Sequence, residues 1–75
     1  MKELVEVIAK SLVEHPESVA VEEKQDGDQT VLELHVASDD MGKVIGKQGR
    51  IAKAMRTVVK AAATREDKKV TVDII

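Results

Sequence analysis

A four-residue turn, Gly46-Lys47-Gln48-Gly49, is the strongest constraint that this sequence places on its own fold. Apolar residues fall at helical spacing before the turn at Met41, Val44 and Ile45, and after it at Ile51, Met55, Val58, Val59 and Ala62. Glycine adopts positive φ values that other residues avoid, so two glycines at this spacing suit a sharp reversal of the backbone. The chain is therefore expected to place a short helix and a longer helix on either side of this turn.

The remaining patterns predict another helix and three strands. Helical spacing runs from Glu3 to Glu14 and stops at His15-Pro16, because the residue before proline is pushed out of the helical region. Two alternating runs flank Asp26-Gly27 and predict a hairpin, and a last alternating run ends the chain. The alternating apolar residues are Val19 and Val21, then Leu32, Leu34 and Val36, then Val70, Val72 and Ile74.

This order predicts an α+β fold, αββααβ, within one domain over residues 1–75. Ser38 and Asp39 are N-cap residue types and predict the start of the second helix, and the third helix is expected from about Arg50 to Thr64. A strand that returns after two helices adds most easily in parallel, so we expect a three-stranded mixed sheet covered on one face by three helices.

Positive charge is concentrated around the turn. Between Met41 and Arg65 there are seven basic residues and no acidic one: Lys43, Lys47, Arg50, Lys53, Arg56, Lys60 and Arg65. The rest of the chain holds all fourteen acidic residues and only five basic ones, so it carries a net charge of −9. Lys53, Arg56 and Lys60 are expected on the helix face opposite the apolar residues. Such a distribution indicates an anionic ligand at one place.

Composition excludes several classes of site. The chain has no Phe, Trp or Tyr, which rules out the aromatic platforms on which many RNA-binding sheets stack bases. It has no cysteine, which excludes disulfides and thiolate metal sites and is compatible with a reducing cytoplasm. No stretch is apolar and long enough for a signal peptide or a membrane span, so we expect a soluble cytoplasmic protein without a membrane partner.

The run Val-Ile-Gly-Lys-Gln-Gly-Arg at 44–50, set between two helices in this element order, resembles the type II KH domain. It is most similar to the small stand-alone bacterial KH proteins of the KhpA (YlqC) family, over essentially the whole chain. The resemblance implies single-stranded RNA as the ligand and no enzymatic activity. It also implies self-association, as a homodimer, or pairing as a heterodimer with a larger, multidomain KH-containing protein.

The resemblance also assigns roles to residues. Gly46, Lys47, Gln48 and Gly49 would clamp the RNA backbone, and KH domains use such a loop to hold about four nucleotides. The positive track would be extended by Lys43, Arg50, Lys53 and Arg56. An aliphatic groove for the bases would be lined by Val44, Ile45 and Ile51. The expected role is that of an RNA chaperone or post-transcriptional regulator.

The main alternative is a protein-interaction module that uses the same fold to dimerise and has little RNA affinity of its own. Ala61-Ala62-Ala63 fits either plain helix propensity or close packing against a second subunit. A nucleotide-binding P-loop is excluded, because only three residues separate Gly42 from Gly46 and Gln48 stands where Ser or Thr is needed.

No cofactor and no metal site are predicted. His15 is expected to cap the last carbonyls of the first helix or to face solvent. His35 is expected to be exposed or in contact with a sheet edge, and the two histidines have no recognisable ligand spacing. The acidic residues around the hairpin are expected to be solvated.

Overall fold

The computed structural model describes residues 1–75 and contains three α-helices and three strands. In chain order they are α1 (Lys2–Leu12), β1 (Ala20–Asp26), β2 (Gln29–His35), α2 (Met41–Ile45), α3 (Arg50–Arg65) and β3 (Lys69–Ile74). Short 3₁₀ turns lie at Pro16–Ser18, Ser38–Asp40 and Lys47–Gly49. The predicted αββααβ order is confirmed.

The sheet is mixed, with β2 in the centre. The hairpin at Gly27, whose φ is 65°, pairs β2 with β1 in antiparallel fashion. The other side of β2 pairs with β3 in parallel, with Leu32 opposite Val72. The strand that returns after two helices is therefore parallel to its neighbour, as predicted, and β3 is left at one edge of the sheet.

The helices cover one face of the sheet, and the core between the two layers is entirely aliphatic apart from methionine. Eleven buried residues form it: Val5, Ala9, Val21, Leu32, Leu34, Val44, Met55, Val59, Ala63, Val70 and Val72. In β2 and β3 the buried side chains alternate with more exposed ones, which is the period of two expected for a sheet that is covered on one side. Strand β1 buries only Val21. The other face of the sheet carries no helix.

The buried face of α3 is rotated from the predicted one, although Met55 and Val59 are buried as predicted. Its buried residues are Ala52, Met55, Val59 and Ala63, whereas Val58 is 47% exposed and Ile51 and Ala62 are only half-buried. The two alanines let the helix axis approach the sheet closely, and this contact rotates the larger Val58 side chain towards solvent. The rotation decides which way the basic residues of α3 point.

The end of α1 and the start of α2 also differ in detail from the prediction. Helix α1 ends at Leu12, two residues before Glu14, and Val13 is already extended. Ser38 and Asp39 do not cap α2 with their side chains; they form a 3₁₀ turn with Asp40 that leads into the helix. Asp40, the N-cap residue of α2, uses its carboxylate to accept hydrogen bonds from the backbone N–H groups of Glu14 and His15.

Candidate nucleic-acid interface

Three of the four residues in the glycine turn have unusual backbone conformations. Helix α2 ends where the N–H of Gly46 donates to the carbonyl of Gly42 at 2.8 Å, and Gly46 then takes φ 77° and ψ 174°. Gln48 and Gly49 follow in the left-handed region, with φ values of 59° and 73°. The N–H of Gly49 donates back to the carbonyl of Gly46 at 3.1 Å and closes the turn.

The two glycines are required for different reasons. A Cβ at Gly46 would lie 2.5 Å from Cγ1 of Ile51. In addition, the φ and ψ angles of Gly46 fall in a region that is essentially restricted to glycine. A Cβ at Gly49 would meet nothing within 4 Å, so only its left-handed φ favours glycine there. The backbone of Gly46 thus packs directly on the Ile51 side chain, at the start of α3.

The side chains of the turn project into solvent. Lys47 and Gln48 are exposed, and the Arg50 guanidinium donates through Nη2 to Oε1 of Gln48 at 3.2 Å. No side chain caps the N-terminus of α3, whose N-cap residue is Gly49. The first N–H groups of a helix have no intrahelical partner and carry partial positive charge. Side-chain cations and backbone donors therefore lie together at this end of the molecule.

The seven basic residues of residues 41–65 fall into two groups. Lys43 is held by acids, with Nζ 3.2 Å from Oε1 of Glu14 and 3.5 Å from Oδ1 of Asp40. The hydrogen bond to Glu14 is the main cause of a raised pKa for Lys43. The other six form no ion pair: Lys47, Arg50, Lys53, Arg56, Lys60 and Arg65. Six unpaired cations on one segment leave a positive potential that a polyanion can use.

Asp40 is the buried anchor of the paired group. Its carboxylate is fully buried and accepts hydrogen bonds from the backbone N–H groups of Glu14, at 3.1 Å, and His15, at 2.9 Å. Burial alone would raise the pKa of Asp40, but these two hydrogen bonds and the charges of His15 and Lys43 together lower it. Asp40 therefore ties the chain after α1 to the start of α2, immediately before the glycine turn.

Arg56 connects the basic face of α3 with the edge of the sheet. Its Nε donates to the carbonyl oxygen of Val72, in the edge strand β3, at 3.0 Å. Lys53 and Lys60 lie three and four residues away on the same side of the helix and are exposed. The basic residues therefore flank β3 and do not lie diametrically opposite the core, which corrects the sequence prediction and follows from the rotation of α3.

The three residues predicted to form an aliphatic groove have different environments. Val44 is fully buried in the core, so the prediction that it contacts bases is wrong. Val44 is the one residue of the five-residue α2 that is buried. Ile45 and Ile51 are half-buried, and Ile51 packs under Gly46. Only these two offer apolar surface beside the turn.

The two histidines have different environments. Of the two alternatives predicted for His15, the structure shows the second: its side chain is 42% exposed and does not cap α1. Its Nε2 lies 3.2 Å from Asp39, and that hydrogen bond is the first cause of a raised pKa for His15. His35 lies in the central strand, half-buried, and not at a sheet edge. The acidic residues around the hairpin are exposed, as predicted: Glu22, Glu23, Asp26 and Asp28.

Sequence reasoning missed Asp40 and the carbonyl of Val72. Asp40 is 26 residues from Glu14, and nothing in the local pattern distinguishes it from its neighbour Asp39. The carbonyl of Val72 is a backbone group without a residue signature. Neither contact therefore leaves a signal in the sequence that could have identified it. None of the helices is long and apolar enough to cross a membrane.

Close relatives exist over the whole length of the chain. The KH domain of KhpA/KhpB matches residues 2–74. The chain is 68% identical to "RNA-binding protein KhpA" of Clostridium perfringens and 63% identical to the protein of the same name from Clostridium acetobutylicum, with all of both chains covered in each case. The KhpA protein of Listeria monocytogenes is 48% identical, with 100% of this chain and 99% of the relative covered.

Two solved structures share the fold. One is Aquifex aeolicus Era bound to GDP and AlF4⁻, with a TM-score of 0.60 and 22% identity, and the other is Era in complex with MgGDPNP and a segment of 16S ribosomal RNA, with a TM-score of 0.58 and 23% identity. Each covers 97% of this chain, which spans only 28% of the solved chain. With the glycine turn, the element order and the full-length matches in agreement, the chain belongs to the KhpA/KhpB family of KH-domain proteins.

Proposed function

We propose that this protein binds single-stranded RNA and that the turn Gly46–Gly49 clamps the RNA backbone. The observation that carries the proposal is the group of six basic residues without acidic partners around a turn whose backbone is closely packed. The relatives named RNA-binding protein KhpA support the choice of RNA over another polyanion.

The binding mode follows from the geometry of the turn. Because Gly46 and Gly49 carry no side chains, a phosphate group can approach the backbone N–H groups at the start of α3, while Lys47 and Arg50 supply charge. The RNA chain would continue past Lys53 and Arg56 along the edge of the sheet formed by β3. Ile45 and Ile51 offer the apolar surface against which a base rests, in place of aromatic stacking.

The protein acts in this proposal by binding and not by catalysis. It would serve in the cytoplasm as an RNA chaperone or post-transcriptional regulator, alone, as a homodimer, or with a larger multidomain KH-containing partner. A single small site contributes modest affinity, so a second KH domain held nearby would raise the apparent affinity through effective concentration.

The direct test is fluorescence anisotropy of a labelled single-stranded RNA titrated with wild type and with the double variant Lys47→Asp/Gln48→Asp. Like charge at the phosphate position should abolish binding. The chain offers a matched control in its other Lys-Gln pair, because Lys24→Asp/Gln25→Asp makes the same substitutions in β1 and changes net charge equally. Circular dichroism should show that both variants are folded.

Two results would contradict the proposal. Equal loss of binding in both double variants would mean that only overall charge matters, and equal retention would remove the turn from the site. Binding should also weaken with salt, with a log–log slope of about −2 to −4 for roughly three to five phosphate contacts. An affinity that does not change with salt is incompatible with a phosphate clamp.

Dimerisation is the second candidate function, because α3 exposes a small apolar patch near its C-terminal end. Val58 is 47% exposed, and Ala61 and Ala62 lie beside it. Sedimentation equilibrium measures this directly: a mass of one chain at high micromolar concentration would eliminate self-association. A dimer that binds no RNA in the anisotropy titration would favour this function over the RNA clamp.

A further inference from the structure

The uncovered face of the sheet carries a row of carboxylates beside a histidine. Glu22 of β1 stands directly opposite Glu33 of β2, and Glu33 in turn stands opposite Asp73 of β3. Like charges directly opposite each other in neighbouring strands destabilise a sheet. The one ion pair in this row joins Glu33 to Nζ of Lys24 at 2.9 Å, so a single positive charge faces three negative ones.

His35 lies next to this row, and its ring has an unusual environment. Each of Glu22, Glu33 and His35 offers one potential ligand atom, and these atoms lie within 4.8 Å of one another. Nε2 of His35 is buried and has no hydrogen-bond partner. A buried polar atom without a partner is rare in native proteins and points to a bound water or ion as the missing partner.

We propose that Glu22, Glu33 and His35 form a binding site for a divalent transition-metal cation, Zn²⁺ being the ion that fits best. Two carboxylate oxygens and one imidazole nitrogen are a ligand set that Zn²⁺ accepts, with water in the fourth position. The cation would neutralise the carboxylate row and satisfy the imidazole. Mg²⁺ and Ca²⁺ are not the preferred cations for this site, because they select oxygen donors only and His35 offers a nitrogen.

Side-chain rotation would have to bring the three ligand atoms to the spacing that Zn²⁺ requires. Tetrahedral Zn²⁺ with bonds near 2.1 Å separates its ligand atoms by about 3.4 Å. The ligand atoms of the cluster lie within 4.8 Å of one another, so any separation longer than the tetrahedral one would shorten by rotation of side chains. Glu22 is exposed and free to rotate, whereas the Glu33 side chain is only 18% exposed and is already positioned. Glu33 has a second oxygen available beside the one that contacts Lys24.

A second cluster, which also combines two carboxylates with one imidazole, provides an internal comparison. Glu14, His15 and Asp40 also bring three ligand atoms within 4.8 Å of one another. There the ammonium of Lys43 contacts both carboxylates, and Asp40 accepts two backbone N–H groups. The protein supplies its own cation at that cluster, so Zn²⁺ should not bind there. Cross-strand register assembles the first cluster, which is why sequence spacing does not reveal it.

The test is isothermal titration calorimetry of the untagged, metal-free protein with ZnCl₂. We expect one site per chain in wild type and in His15→Gln, and at least tenfold weaker binding in His35→Gln and in Glu22→Gln. Glu22→Gln alters an exposed side chain, so it keeps the test valid even if His35→Gln fails to fold. Lys24→Met should tighten binding, since it removes the competing ammonium, and excess Mg²⁺ should not displace the zinc.

Three outcomes would overturn the proposal. No heat beyond dilution with wild type would mean that water alone satisfies the imidazole. Undiminished binding in both Glu22→Gln and His35→Gln would place the metal elsewhere. Loss of binding in His15→Gln, with His35→Gln unaffected, would assign it to the cluster around Asp40.

Discussion

Lys43 and Lys47 are four residues apart and have opposite roles. Lys43 contacts Glu14 and the buried Asp40, so its charge holds the chain after α1 against α2. Lys47 has no acidic partner and projects from the turn that follows α2. The comparison shows that the basic residues of this segment do not all have the same role. Lys43 is paired with acidic residues and stabilises the fold, whereas Lys47 is unpaired and leaves its charge available to a ligand.

The largest effect is expected from Gly46→Ala, which tests how firmly the turn is attached to the fold. The new methyl group would lie 2.5 Å from Ile51 in a backbone conformation that disfavours any side chain. Strain and overpacking together should cost about 2–4 kcal/mol of unfolding free energy, measured by urea denaturation. Gly49→Ala is the matched control, and with open space around its Cβ it should cost only about 1 kcal/mol.

If the two alanine variants were equally stable, the packing of Gly46 on Ile51 would not be what fixes the turn. RNA binding sharpens the same comparison. Gly46→Ala should lose affinity because the turn must move away from α3, whereas Gly49→Ala should retain most of it.

The next effect concerns the other end of α2. Asp40→Ala removes the acceptor for two backbone N–H groups and one partner of Lys43, and it leaves these donors without a replacement. Unsatisfied buried donors are costly, so Tm should fall by on the order of 10 °C. Asp39→Ala is the control, since it removes the neighbouring exposed carboxylate. Similar Tm losses in both variants would contradict the anchoring role of Asp40.

A pair of lysine substitutions tests the comparison directly. Lys47→Gln should weaken RNA binding and reduce the magnitude of the log–log salt slope by about 0.7, with little change in stability, because it removes one phosphate contact. Lys43→Gln should lower stability and leave the salt slope nearly unchanged, because its charge is already neutralised by Glu14 and Asp40. Equal changes of slope in the two variants would show that both lysines contact the RNA.

The sequence carried enough information for the element order, the hairpin, the parallel return of β3 and the glycine turn. Each depends on local periodicity or on the backbone preferences of glycine and proline, which act over a few residues. Local periodicity did not predict which face of α3 is buried. Ala52 and Ala63 are less hydrophobic than Val58, yet the close approach of the helix to the sheet buries the alanines and exposes the valine.

Local sequence patterns also did not predict the long-range polar contacts. Asp40 contacts residues 25 and 26 positions away, and Arg56 reaches a backbone carbonyl of β3. Glu22 and His35 are brought together only by the register of β1 on β2. Such contacts depend on three-dimensional packing, so the sequence indicates the basic segment but not which of its lysines is already neutralised.

The smallest expected effect is the pH dependence that the paired group of charges imposes on stability. The folded-state pKa of Asp40 is lowered below 3.8, so its contribution is present above that pH and is lost as the pH falls through the folded value. The folded-state pKa of His15 is raised above 6.5 by Asp39, so its contribution is complete below 6.5 and is lost as the pH rises through the folded value. Stability should therefore be greatest between these two pH limits.

The measurement is the urea midpoint of unfolding from pH 3 to 9, in wild type and in His15→Gln. In His15→Gln the decline of the midpoint on the alkaline side should disappear, and the decline on the acid side should persist. An alkaline decline that persists unchanged in His15→Gln would mean that the imidazole beside Asp39 does not help to hold the chain between α1 and α2, and that the securing of this end of the molecule rests on Asp40 and Lys43 alone.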